Sequence, residues 1–340
     1  MVLGIISFFI SGFKADRVDI IITIYIAIIL PKIFFTIISS FDIPLRRLFK
    51  WKIYPFTLIA LLTAIITEAI IIYGSIWGKT NLHVNNIELF SPKIPTAFDD
   101  YKIVQISDLH LGNLKNGKPF IEKLVNITNA QDPDIVVVTG DLVNHYASEL
   151  IGYENILSGI KAKDGIYSVL GNHDYGLYNN WENEKEKKKN FEDLILGQKN
   201  MGWTLLNNEN IILQRDNESI AIIGVENSGN HPFPEYGDLL KAMKGTENTD
   251  FKILLSHDPS HWRREVLDSD IDLMLAGHTH GAQFSIGNFS LASYAYPEWK
   301  GLYTEKNKSL YVNPGIGSVG IPFRFGSWPE ITVIILKKDK

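Results

Sequence analysis

The chain has 340 residues and a formal net charge of −5, and its composition is uneven along its length. Residues 1–80 are dominated by Ile, Leu and Phe, whereas the remainder has the composition of an ordinary water-soluble domain. Because cysteine is absent, disulfides, zinc–thiolate sites, iron–sulfur clusters and thiol nucleophiles are excluded. Any metal must therefore be bound by nitrogen and oxygen ligands. The mild acidity, without a basic stripe, gives no reason to expect a nucleic-acid partner.

Two apolar segments near the N-terminus, residues 20–38 and 55–77, are long enough to cross a bilayer. A span of the hydrocarbon core needs about 20 residues. We therefore predict a membrane anchor over residues 1–80 with two transmembrane helices, and a phospholipid bilayer as a partner. The alternative of two buried core helices fits less well, because both segments are apolar on all sides. The shorter apolar stretch 2–13 forms either an interfacial helix or part of a further span.

The loop between the two segments is basic and gives a prediction of topology. It contains Arg46, Arg47, Lys50 and Lys52 against a single acidic residue, Asp42. Positively charged loops tend to remain in the cytoplasm. On this reasoning the larger C-terminal part of the chain lies on the outer side of the membrane.

Residues 81–340 are predicted to form an α/β layered domain, because apolar runs of strand length alternate with segments of helical periodicity. In such folds, ligands bind at the carboxyl ends of the strands. The candidate strands are residues 102–106, 135–139, 166–170, 219–225, 252–256 and 272–276.

Five of these six strands are followed directly by residues of the types that bind metal ions. Five of the nine histidines lie there, which random placement would not produce, and those at positions 83, 145, 231 and 261 are interpreted as surface or packing residues. We expect the strand ends to converge on one cluster. The motifs are Asp108-Leu109-His110, Gly140-Asp141, Gly171-Asn172-His173-Asp174, His257-Asp258 and Gly277-His278-Thr279-His280.

In this order the motifs resemble those of the calcineurin-like metallophosphoesterase family, and specifically its membrane-associated bacterial branch, over about residues 87–336. The resemblance implies a four-layer α/β/β/α sandwich of two mixed sheets between helices, here preceded by N-terminal transmembrane helices. It also implies a multi-pass protein of a bacterial cell membrane. One metal ion would be held by Asp108, His110, Asp141 and His280, and a second by Asp141, Asn172, His257 and His278.

The resemblance further implies that His173 contacts the phosphate and protonates the leaving oxygen. Its neighbour Asp174 is expected to raise the pKa of this histidine and to orient its ring. Imidazole, carboxylate and amide ligands suit two divalent ions of Mn, Fe or Zn better than Mg²⁺ or Ca²⁺. Many relatives have a second glycine where this chain has Ala282, a departure expected to affect the metals little.

These features predict a metal-dependent hydrolase of a phosphodiester or pyrophosphate bond, with a lipid-linked or cell-envelope substrate. Arg324, flanked by aromatic residues, is the candidate contact to the phosphate head of such an amphiphile. Hydrolysis of UDP-2,3-diacylglucosamine in lipid A synthesis is the alternative if the domain is cytoplasmic. A catalytically inactive metal-binding membrane scaffold is an alternative of another class.

Overall fold

The computed structural model describes residues 15–50, 52–114 and 117–339, with side chains from residue 21 onward. The stretch 2–13, predicted as an interfacial helix or partial span, therefore lies outside the described residues. The chain divides into two units, one made of residues 1–80 and 319–325 and the other of residues 81–318 and 326–340.

The first unit contains the helices α1 (Ala15–Ser40), α2 (Asp42–Phe49) and α3 (Pro55–Ile76). Two helical stretches, Ile21–Phe49 and Pro55–Thr80, are long and apolar enough to cross a membrane. Only 6% and 11% of their most apolar windows are buried, which argues against core helices of a water-soluble domain. By length and composition, both are candidate membrane spans.

Asp42, the first residue of α2, links that helix to the start of α3. Its carboxylate accepts hydrogen bonds from the backbone N–H groups of Phe56 and Thr57, at 3.2 and 2.7 Å. These N–H groups lie in the first turn of α3, where no helical carbonyl is available to them. Asp42 therefore caps α3 from a position in α2, which explains why an acidic residue is buried in this apolar unit.

The second unit contains two six-stranded sheets and a small hairpin. The first sheet has the order β1-β14-β2-β3-β4-β5 and the second the order β12-β13-β9-β8-β7-β6. Both are mixed, since most neighbours are parallel but β14 runs antiparallel to β2, β6 to β7, and β12 to β13. The strands are β1 (His83–Ser91), β2 (Lys102–Ile106), β3 (Ile135–Thr139), β4 (Ile166–Val169), β5 (Thr204–Leu205), β6 (Glu209–Arg215), β7 (Glu218–Gly224), β8 (Phe251–Leu255), β9 (Leu273–Ala276), β10 (Ser285–Ile286), β11 (Phe289–Ser290), β12 (Gly301–Glu305), β13 (Lys308–Val312) and β14 (Glu330–Lys338).

Three hydrophobic clusters separate four layers. Alternate residues of a strand point to opposite faces of its sheet, so Val104 packs against helices while Ile103 packs between the sheets. A third cluster, which includes Ile223 and Trp262, lies between the second sheet and its helices. The predicted four-layer α/β/β/α fold is confirmed. The helices are α4 (Lys118–Ala130), α5 (Glu154–Leu157) and α6 (Glu184–Asn200) beside the first sheet, and α7 (Leu239–Ala242) and α8 (His261–Arg264) beside the second.

Candidate metal centre

The residues that were predicted to bind metal follow five parallel strands, three in the first sheet and two in the second. Because the strands end at the same edge of each sheet, their C-terminal loops converge. Asp108 and His110 follow β2, Asp141 follows β3, Asn172 follows β4, His257 follows β8, and His278 and His280 follow β9.

Five of these seven residues have a left-handed backbone, which is uncommon for residues other than glycine. Such conformations cost about 1–3 kcal/mol each and cluster at functional sites. In this centre, the left-handed conformations follow soon after the strands and direct the ligand side chains back towards the strand ends. The φ angles are 52° for Asp108, 45° for His110, 54° for Asp141, 72° for His278 and 50° for His280.

One group of donor atoms forms around His110, whose Nε2 lies 3.1 Å from Nε2 of His280. The same His280 atom lies 3.2 Å from Oδ1 of Asp108. Asp141 joins the group through Oδ2, at 3.6 Å from Nε2 of His110. All four side chains are buried.

A second group forms around His257 and His278. Nε2 of His257 lies 3.1 Å from Oδ2 of Asp141 and 3.3 Å from Nδ1 of His278. The same Nδ1 atom lies 2.9 Å from Oδ1 of Asn172. Nδ1 of His257 is 2.7 Å from the Thr139 carbonyl, which only accepts hydrogen bonds, so the proton of a neutral ring belongs on Nδ1 and the lone pair of Nε2 points into the group.

The two groups fit divalent cations. Nitrogen lone pairs and carboxylate oxygens face one another in a buried space, an arrangement that is costly unless a proton or a cation lies among them. Both groups share Asp141, as expected for a carboxylate that bridges two ions. Carboxylate, imidazole and amide oxygen are ordinary ligands for Mn, Fe and Zn.

Burial and neighbouring charges shift the pKa values of three residues at this centre. Burial raises the pKa of Asp108 to about 6, against the opposing charge of His257. Burial lowers the pKa of His278 to about 4, so its ring is neutral and able to ligate near pH 7. Burial also lowers the pKa of His257, but the adjacent carboxylate of Asp141 outweighs it and raises this pKa to about 10. Because metal ligands must be deprotonated, we expect metal affinity at this centre to depend on pH.

Asp174 does not orient His173, and that expectation is wrong. Its carboxylate is engaged by four backbone N–H groups, from Asp141 at 2.8 Å, Gly171 at 2.9 Å, Leu142 at 2.9 Å and Val143 at 3.2 Å. These bonds hold the loops after β3 and β4 against each other.

The ring of His173 is oriented instead by the Asn144 carbonyl, which lies 2.8 Å from Nδ1. The backbone N–H of His173 donates to Oδ1 of Asp141 at 2.9 Å, which leaves Oδ2 of that carboxylate facing the two groups. His110, Asp141 and His173 also bring one ligand atom each within 4.8 Å of one another. His173 is therefore held beside the centre through Nδ1, with Nε2 available to another partner.

Two tyrosines contact candidate ligands, and the sequence analysis did not find them. The hydroxyl of Tyr178 accepts from Nδ2 of Asn172 at 2.8 Å, and its ring centroid lies 4.7 Å from that of His173. The hydroxyl of Tyr296 lies 2.7 Å from Nε2 of His278. Both come from loops without a recognisable motif, so only the fold brings them to the ligands.

The family model of calcineurin-like phosphoesterases matches residues 101–282, which include all seven candidate ligands. The chain belongs to the calcineurin-like metallophosphoesterase family. A zebrafish (Danio rerio) transmembrane protein with a metallophosphoesterase domain is 32% identical over 291 residues, covering 82% of this chain and 62% of the relative. An uncharacterized metallophosphoesterase of Campylobacter jejuni is 33% identical, covering 82% of this chain and 70% of the relative. The chain thus spans about 62% of the length of each of the vertebrate relatives from zebrafish and cattle.

Two other histidines of this metallophosphoesterase, His145 and His261, were interpreted from the sequence as surface or packing residues. His261 is fully buried, between the Ser256 hydroxyl at 3.0 Å and the Glu265 carboxylate at 2.7 Å. His145 is half-buried, and its ring centroid lies 6.2 Å from that of His173. It is therefore nearer to the candidate centre than the sequence indicated.

Arg324 lies in the first unit, whereas the candidate ligands lie in the second. Its side chain is fully buried, and its backbone N–H donates to the Gly74 carbonyl of α3 at 3.1 Å. A role for Arg324 in substrate binding remains a prediction.

Replacing Ala282 with glycine is expected to stabilise the metallophosphoesterase by about 0.5–1 kcal/mol, since alanine is strained in a left-handed conformation. Ala282 has φ 49° and ψ 23° in the loop that directly follows His280. Thermal unfolding of the detergent-solubilised chain measures the effect, and the same change at Ala242, the buried last residue of helix α7, should destabilise. A lower melting temperature for Ala282→Gly would show that the backbone of Ala282 is not strained.

Proposed function

We propose that this metallophosphoesterase hydrolyses a phosphodiester or pyrophosphate bond of a lipid-linked or cell-envelope substrate, with two divalent metal ions per chain. The observation that carries the proposal is that Oδ2 of Asp141 lies near both donor groups, at 3.6 Å from Nε2 of His110 and 3.1 Å from Nε2 of His257. In the proposed centre, one ion is held by Asp108, His110, Asp141 and His280, and the other by Asp141, Asn172, His257 and His278.

Two ions at this centre, when bound, would acidify a water molecule and neutralise charge on the phosphoryl oxygens. The chain's own residues hold that arrangement in place. Asp174 fixes the backbone of Asp141, and the Thr139 carbonyl fixes the ring of His257 with Nε2 towards the centre. Tyr296 does the same for His278, since it engages Nε2 and leaves Nδ1 facing the centre.

His173 is the proposed donor of a proton to the leaving oxygen. Its Nδ1 is held by the Asn144 carbonyl, so Nε2 is the atom available to the substrate. General acids contribute typically 10²–10⁴-fold to a rate, and they matter most when the leaving group is a poor one.

We expect His173→Ala to lower kcat by about 10²-fold or more on phenyl phosphodiesters, and by less on p-nitrophenyl phosphodiesters, whose leaving group needs little protonation. Steady-state kinetics on the matched pair of substrates measures the difference. His83→Ala is the control, because His83 stacks on Trp328 at a ring-centroid distance of 6.0 Å and should retain activity on both. Equal losses on good and poor leaving groups would exclude the acid role and leave a contact to the phosphate.

The lipid-linked substrate is supported by the two candidate membrane spans in the same chain. We further propose that residues 1–80 form the anchor and residues 81–340 the metallophosphoesterase domain. We also propose a multi-pass protein of a bacterial membrane with the domain on the outer side. The outer location is supported by Arg46 and Arg47 in the short helix α2, because positive charge between two spans tends to remain in the cytoplasm.

A narrower candidate is UDP-2,3-diacylglucosamine hydrolysis, which requires a cytoplasmic domain because that substrate is cytoplasmic. A reporter fused after Lys340 measures the side of the membrane, and an outer location would exclude this candidate. The alternative of an inactive scaffold is disfavoured because the seven candidate ligands are all present and lie together at the centre.

The assay that tests the proposal uses the full chain in nanodiscs with Mn²⁺. The substrates are bis-p-nitrophenyl phosphate, a phospholipid phosphodiester and UDP-2,3-diacylglucosamine. Turnover of the first two supports the proposed class, whereas selective turnover of the third favours the narrower candidate. A metal-loaded chain that turns over none of them would favour the scaffold.

A further inference from the structure

An apolar surface lies directly beside the candidate centre. Four large side chains of one short segment are exposed, with fractional exposures of 59% for Ile286, 49% for Phe289, 61% for Leu291 and 80% for Tyr294. The segment consists of the hairpin β10–β11 and the turn Leu291–Tyr294, called here the apolar hairpin. Single exposed apolar residues are ordinary, but a contiguous group in one loop marks an interaction surface.

The apolar hairpin is anchored to the metal-ligand loop at its base. Ser285 and Ser290 pair across the hairpin and are buried, and the Ser290 hydroxyl donates to the Gly281 carbonyl at 2.7 Å. Gly281 directly follows the candidate ligand His280. At the other end, Tyr296 contacts Nε2 of His278. Two candidate ligands are thus fixed to the segment that exposes the apolar side chains.

The charge pattern indicates what covers this surface. From Gly281 to Pro297 the chain has no Asp, Glu, Lys or Arg, whereas charged residues make up 21% of the whole chain. Removing a charged side chain from water is costly, so an uncharged segment with aromatic and aliphatic side chains suits the interface of a bilayer. The covalent link to two candidate spans keeps a bilayer within reach of the domain at high effective concentration.

We infer that the apolar hairpin inserts Ile286, Phe289, Leu291 and Tyr294 into the lipid surface and presents the phosphate headgroup of a membrane lipid to the metal centre. The inference deepens the proposed function and, for the presentation of substrate, rests on it. Insertion of the hairpin is a binding event that can be measured without turnover, so the two claims fail separately.

Depth measurement tests the insertion directly. Because the chain has no cysteine, Tyr294→Cys in the full chain provides one attachment point for an environment-sensitive fluorophore. Leu240→Cys is the matched control, since Leu240 is 84% exposed on helix α7. In phosphatidylcholine vesicles we expect a blue-shifted emission at position 294 that brominated acyl chains quench, and neither effect at position 240.

Two outcomes would overturn the insertion. A label at position 294 that is neither shifted nor quenched would place the hairpin in water. A blue shift without quenching by brominated lipids would mean that protein, such as a second copy of the chain, covers the surface.

Steady-state kinetics tests whether the apolar hairpin presents the lipid headgroup to the metal centre. The double variant Leu291→Ser/Tyr294→Ser should raise KM for a phospholipid phosphodiester in vesicles by about tenfold, as expected for the loss of two apolar contacts. Its turnover of water-soluble bis-p-nitrophenyl phosphate should match that of the parent chain. The control Leu240→Ser/Ile151→Ser removes two other highly exposed apolar residues and should change neither KM for the lipid nor turnover of the soluble substrate.

The kinetic result separates the two claims. Unchanged KM for the lipid in Leu291→Ser/Tyr294→Ser would overturn presentation by the hairpin while leaving the phosphoesterase intact. A parent chain that hydrolyses neither substrate, yet shows lipid quenching at position 294, would contradict the proposed function and retain the insertion.

Discussion

Asp141→Asn should lower metal-dependent turnover by more than about 10²-fold, because it alters a shared ligand, and even residues that only support ligands cost 10–100-fold. Oδ2 of Asp141 lies 3.1 Å from His257 and 3.6 Å from His110, while Oδ1 accepts the N–H of His173 at 2.9 Å. An asparagine has one acceptor oxygen and no charge. It can serve either the metal side or the His173 N–H, but not both.

Asp272→Asn is the matched control for this variant. Asp272 is also buried, but it immediately precedes β9, at the opposite end of that strand from His278 and His280. Its carboxylate accepts the Lys252 N–H at 2.9 Å and pairs with Lys93 at 2.7 Å. We expect some loss of stability and full turnover. Parent-level turnover and metal content in a folded Asp141→Asn chain would refute the shared-ligand assignment.

Asp174→Ala should have the largest effect on stability, a loss of about 3 kcal/mol or more in the free energy of unfolding. The substitution leaves four backbone N–H groups without their acceptor, and each unsatisfied buried donor costs about 1–3 kcal/mol. Since these donors lie in the loops that carry Asp141 and Asn172, metal affinity should fall 10–100-fold as well. Chemical denaturation and metal titration of the solubilised chain measure the two effects.

The control for Asp174 is Asp134→Ala at the opposite end of the first sheet. Asp134 accepts one backbone N–H, from Lys102 at 2.7 Å, and pairs with Arg215 at 3.3 Å. Asp134→Ala should lower the free energy of unfolding by about 1 kcal/mol and leave the metal affinity unchanged. Equal stability losses for the two variants would show that Asp174 does not hold the loops after β3 and β4 together.

The strands that carry ligands could be predicted from the sequence because each combines a run of apolar residues with a polar motif at its end. β2 and β3 have the predicted bounds, and β4, β8 and β9 differ by one residue at most at either end, as does β7, which carries no ligand. Burial on both faces makes such strands continuously apolar, and convergence of their ends follows from parallel pairing. The candidate ligands therefore come together as expected.

What the sequence did not reveal depends on contacts between distant segments. The hydroxyls of Tyr178 and Tyr296 reach Asn172 and His278 from loops whose paths follow from the packing of the sheets. Asp174 is adjacent to His173 in the chain, which suggested a contact, but the tight turn after β4 directs its carboxylate to the backbone of the loop after β3.

The burial of Arg324 also depends on contacts between segments that are distant in the sequence. An arginine between aromatic residues near the C-terminus resembles a surface contact when only the sequence is considered. In the fold, the segment 319–325 belongs to the unit of the apolar helices, where the Phe323 ring packs against Gly74 and its backbone neighbour Arg324 bonds to the Gly74 carbonyl. No local pattern around either residue predicts that pairing.

Titration of the chelator-stripped full chain with Mn²⁺ tests the central claim most directly, with bound metal and turnover of bis-p-nitrophenyl phosphate measured on the same samples. The shared-ligand centre predicts negligible turnover without metal, two ions per chain at saturation, and restored activity that Asp141→Asn lacks. Full activity of the stripped chain, or saturation without turnover at any metal content, would contradict a two-metal phosphoesterase.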